Sequence, residues 1–128
     1  MQEWLNIGEG KYFADRTLLV TADRSAVELQ DTVIDIYQDR QGVRRLQGQG
    51  FVNSLAVIQL LEEHDELDIL LDLGADFKYR LVAPTLSGGK IFTPDVKSSM
   101  VFVPTRPWIP LTEQDFKEAV AGLAMVAD

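Results

Sequence analysis

A chain of 128 residues, 46% hydrophobic and 25% charged, has the length for one domain with a real core and the composition of a folded sequence. It contains no cysteine, which removes disulfides, thiolate nucleophiles, zinc knuckles and iron–sulfur ligation together. A net charge of −8 argues against direct, sequence-independent binding to nucleic acid, which rests on lysines and arginines neutralising phosphates.

No apolar run approaches the ~20 residues of a membrane span. The opening "MQEWLNIGEG" lacks the basic and apolar regions of a secretory signal. The expectation is a cytoplasmic protein with no membrane contact, occupying residues 1–128 as a single domain.

In chain order, "RTLLVTAD" reads as a buried strand. "SAVELQDTVIDIYQDRQG" then reads as an amphipathic helix, opened by a Ser25/Glu28 capping box. At roughly 100° per residue, Ala26, Val27, Leu29, Val33, Ile34, Ile36 and Tyr37 fall on one half of the wheel. Glu28, Asp31, Thr32, Asp35, Gln38 and Asp39 fall on the other, and Gly42 stands where a left-handed cap ends a helix. "GVRRLQ" is expected as a second strand, with Arg44 and Arg45 on opposite faces, and "GQG" as a turn.

Asn53 is placed to cap a largely buried helix over "SLAVIQLLEEH". "LDILLDL" suits strand and helix equally. "FKYRLVA", "GKIFT" and "SSMVFVP" read as strands between Gly, Pro and Asp turns. "LTEQDFKEAVAGLAMVAD" is expected as a closing helix, with Thr112 and Asp115 as a capping box and Gly122 inside it. This order predicts an α+β fold: a mixed β-sheet of about five strands, a βαβ-like N-terminal half, later hairpins, and three helices including the C-terminal one.

The chemistry-bearing stretches are few. "LLEEHDELD" joins the only histidine to several acids, and Glu62, His64 and Glu66 form a weak candidate set for a metal or for acid–base chemistry. The spacing matches no established metal motif, and solvated charge at a helix end explains it as well. His64 is the only available imidazole base, and no Gly-x-Ser-x-Gly elbow frames a serine. "GEGK" and "SGGK" place lysines after glycines but lack the spacing of a phosphate loop. No cofactor is implied.

"VPTRPWIPL" carries more information. Pro107 sets its own φ and Pro110 biases Ile109 toward an extended backbone, so the segment is stiff. It presents Arg106, Pro107, Trp108 and Ile109 with little ordering entropy left to lose, and Trp and Arg are common interface anchors. The same indole can instead lid the protein's own core where the chain crosses the end of a sheet.

The leading expectation is a non-enzymatic interaction or assembly domain, binding a protein partner or a second copy through this arm. Such a role suits an adaptor, an inhibitor, or an accessory component of a larger assembly of phage or mobile-element type. One alternative is a small enzyme or ligand-binding domain built on the acids around His64. Another is an acidic nucleic-acid mimic that presents Glu28, Asp31, Asp35 and Asp39 along one helix face to a basic protein.

Overall fold

The computed structural model describes residues 8–53, 57, 60, 66–74, 77–88 and 97–125. Among them the strands are β1 (Gly10–Phe13), β2 (Arg16–Val20), β3 (Ser25–Glu28), β4 (Gln30–Gln38), β5 (Arg44–Asn53) and β6 (Asp68–Asp72). There follow β7 (Lys78–Leu81), β8 (Thr85–Gly88), β9 (Lys97–Val103) and β10 (Ile109–Leu111), then helix α1 (Glu113–Ala121) and β11 (Ala124–Met125). The expected α+β fold with three helices is therefore replaced by eleven strands in two sheets with one continuous helix among the described residues.

The first sheet runs β1-β4-β5-β9-β8 and is antiparallel throughout. The second runs β10-β7-β6-β2-β3-β11, antiparallel except where β11 lies parallel to β3. One core cluster unites Ile34, Leu46 and Phe102 of the first sheet with Leu19, Ile69, Leu71 and Tyr79 of the second, so the sheets pack face to face. A second cluster joins Leu18, Val20, Ala26 and Leu70 to Phe116, which places α1 on the outer face of the second sheet.

The middle strands of that sheet are thus covered on both sides, which is why "LLV" and "ILL" are unbroken apolar runs rather than alternating ones. "LDILLDL", open to either reading by its pattern, is a strand for this reason. Val57 and Leu60, the two described residues of the expected "SLAVIQLLEEH" helix, are helical and buried. The expected strand at "GKIFT" lies outside the described residues.

The largest correction concerns residues 25–42. They form β3 and β4 with a change of sheet at Leu29, not a helix. Two features imitate helical spacing. Ala26 and Val27 are both buried because β3 has neighbours on both faces. Asp31 then adopts a left-handed φ of 51° at a β-bulge, so Gln30 opposes Phe51 but Val33 opposes Gln49. The extra residue resets the alternation, and beyond it the order is strict: Ile34 and Ile36 point inward, Val33, Asp35 and Tyr37 outward. The β-branched "TVIDI" run suits a strand, and Gly42, with φ 78°, serves the β4–β5 hairpin rather than a helix end.

"GQG" is corrected too, since β5 runs straight through it. Gly48 and Gly50 face inward. A Cβ at Gly48 would run into the ring of Phe102, its direct partner on β9. One at Gly50 would lie 2.6 Å from Leu29 Cγ and 2.8 Å from Thr32 Oγ1, the corner where the chain changes sheets. The glycines are there for packing.

At the C-terminus the Thr112/Asp115 capping box forms as expected. Gly122, however, ends the helix instead of lying inside it, and the chain continues into β11.

Gly48→Ala is expected to cost about 1–3 kcal/mol by overpacking, read from urea unfolding. Combined with Phe102→Leu, the loss should be smaller than the sum of the two single losses, because both changes act on one contact.

Candidate interaction surfaces

The stiff 103–111 segment carries the chain from β9 in the first sheet to β10 in the second. Trp108, at the crossing, is 2% exposed and packs edge-on against buried Tyr79, with ring centroids 5.1 Å apart at 63°. The indole therefore fills the protein's own core. Arg106, Pro107 and Ile109 remain on the surface, Ile109 at 45% exposure. Pro110 sits opposite Tyr79 on an edge strand, where a residue without an N–H blunts further strand pairing. Nearby, Thr105 Oγ1 donates to the Ala83 carbonyl at 3.1 Å.

Of the acidic set, Glu62 and His64 lie outside the described residues and Glu66 is exposed. No grouping of three or more His, Asp or Glu arranged to hold a metal occurs among the described residues. No helix among them is long and apolar enough to cross a membrane.

The four acids expected along one helix face are dispersed by the two-strand structure. Glu28 ends β3 in the second sheet, 3.9 Å from Arg16. Asp31 occupies the bulge, and Asp35 lies on the outer face of β4 opposite Lys11. Asp39 anchors the β4–β5 hairpin, accepting from the Gln41 and Val43 backbone N–H groups at 2.9 and 3.0 Å and from Arg45 Nε at 2.9 Å. The Arg45 hydrogen bond, followed by that from Val43, holds its carboxyl below the ordinary aspartate range, against a small opposing effect of burial.

The most distinctive surface was not visible in the pattern of residues. The second sheet has α1 on its outer face, whereas the described residues place no element on the outer face of the first. The register sets Phe13, Val33, Gln49, Val101 and Ser87 side by side in one row across all five strands. Phe13 is 78% exposed, and Phe51, Tyr37 and Val103 on the same face are about half as exposed. Polar residues are interspersed, with Gln49 Nε2 donating to Ser99 Oγ at 2.9 Å. The available signal is the period-two order of Gln47, Gln49 and Phe51, masked by the turn propensity of "GQG".

Trp108→Ala is expected to lower stability by about 3–5 kcal/mol in urea unfolding, as loss of a buried aromatic does. Asp39 has a folded pKa below its unfolded value, so its stabilising share is present above the unfolded pKa and lost as pH falls through the folded one. Asp39→Asn should therefore narrow the gap between urea midpoints measured at about pH 7 and about pH 3.

No protein-family model matches this chain, and neither do any curated protein or any solved structure.

Proposed function

We propose that this chain is an assembly domain that pairs with a second copy of itself through the outer face of its first sheet. The observation that carries this reading is the exposure of Phe13, Phe51 and Val103 on a sheet face without cover among the described residues, while the other sheet's outer face has a helix. Single exposed hydrophobics are ordinary, but several sharing one flat face form a patch.

Charge favours a second copy as the occupant. The chain carries −8 overall, yet among the described residues of this face Lys11 opposes Asp35 and Arg45 binds Asp39. Two acidic molecules meet there with less repulsion than over the rest of their surfaces. A two-fold pairing also requires a self-complementary patch, and a balanced mixture of apolar and paired polar groups provides one.

The size is adequate. Five strands at ~4.8 Å spacing and about seven residues at ~3.3 Å give a face of roughly 24 by 23 Å. The accessible area of such a side-chain-covered face exceeds its projection and approaches the ~800 Å² per partner of a standard interface.

The arm with exposed Arg106, Pro107 and Ile109 leads into β10 at the second sheet's edge. With its indole turned inward it lacks an aromatic anchor, so the docking role moves to the sheet face.

Light scattering coupled to size exclusion tests the proposal across a dilution series. The wild type is expected to be a dimer at high concentration. Phe13→Ser with Phe51→Ser should be monomeric at every concentration while keeping the wild-type circular dichroism spectrum and a cooperative unfolding transition. A wild-type monomer at every concentration, or a dimer indifferent to both substitutions, overturns the reading. A monomer that binds a different purified protein through Phe13 and Phe51 would also overturn self-pairing.

A further inference from the structure

On the other side of the molecule, α1 does not cover the whole outer face of the second sheet. Beside it lies a groove of about 460 Å³, within the size range of small-molecule sites. Its apolar wall is Phe116 and Val120 of the helix. Its charged end comes from the sheet, where the register places Arg16, Asp72 and Lys78 side by side across β2, β6 and β7. These residues share a face with Leu18 and Leu70, which contact the helix, so they stand on the groove side. Lys117 joins them from α1.

The groove gathers three cations in an acidic protein, Arg16, Lys78 and Lys117, each beside one carboxylate: Glu28, Asp72 (Lys78 Nζ to Oδ1 3.6 Å) and Glu113. Two of the cations are held loosely. Arg16 Nε is 3.9 Å from Glu28, and Lys117 Nζ is 3.8 Å from Glu113, both beyond hydrogen-bond distance. Two other arginines are bound more firmly: Arg80 reaches Asp68 at 2.7 Å and Arg45 reaches Asp39 at 2.9 Å. Exposed, loosely set pairs contribute little and give way readily to a better anion.

We infer that this groove binds a small anionic amphiphile, a carboxylate on a short alkyl chain. The carboxylate meets Arg16 and Lys117 beside Lys78, and the alkyl chain lies along Phe116 and Val120. The site is distinct from the sheet face proposed for assembly and does not depend on it.

The test is an amide-resolved NMR titration of the full chain with octanoate, hexanoate and neutral octanol as probes. Octanoate is expected to give saturable shifts at residues 16, 72, 78 and 113–121, tighter than hexanoate by roughly fifteenfold, since each of its two further methylenes contributes about fourfold when buried. Octanol should bind at least tenfold more weakly than octanoate. Arg16→Gln with Lys117→Gln should abolish that preference while leaving the octanol response and the unfolding midpoint unchanged. Absence of saturable shifts, equal affinity for octanol and octanoate, indifference to the two substitutions, or shifts confined to the first sheet would each overturn the assignment.

Discussion

Strands β2 and β6 are buried on both faces, and most of the architecture follows from that. Leu19, Ile69 and Leu71 point into the space between the sheets, while Leu18, Val20 and Leu70 point to the helix. Each such side chain contributes about 1.5–3 kcal/mol when fully removed from water, and the two sets are buried together only when both neighbouring layers are in place. The first sheet and α1 are therefore two halves of one requirement. Ion pairs then secure the strand ends, as where Asp68 binds Arg80 and accepts the Ala83 N–H at 3.0 Å. That last bond helps hold Ala83 at its positive φ of 46°.

The layered arrangement also determines what the surface offers. Among the described residues a helix lies on one outer face and no element on the other, which makes the two sides unlike. The first sheet's outer face exposes Phe13, Phe51 and Val103. The helical side leaves a groove with an apolar wall and loosely held cations. A flat face suits contact with another flat face, and a groove suits a ligand that presents an apolar body and one charge. Both surfaces arise because α1, only nine residues long, covers part of one sheet.

The packing that joins the sheets explains residues with no evident local purpose. Gly48 makes room for Phe102, Gly50 for the Leu29–Thr32 corner, and Trp108 fills the space beside Tyr79 where the chain changes sheets. In each case the partner lies far along the chain or in the other sheet. Inspection of neighbours in sequence assigns Gly48 and Gly50 to a turn and leaves Trp108 undecided between core and interface.

What the sequence determined alone was local. Strand propensity located β2, β7, β9 and the first half of β5, and the Thr112/Asp115 box located the start of α1, because these depend on residues a few positions apart. Composition likewise excluded every chemistry that requires cysteine. The tertiary structure decided whether residues 25–38 were helix or strand, which faces were buried, and which aromatic residues met water. A doubly covered strand loses its alternation, and a bulge at Asp31 shifts it, so the apolar spacing approached that of a helix. Strand identity is a property of pairing, and the partners of β4 lie in β1 and β5, beyond the reach of any local pattern.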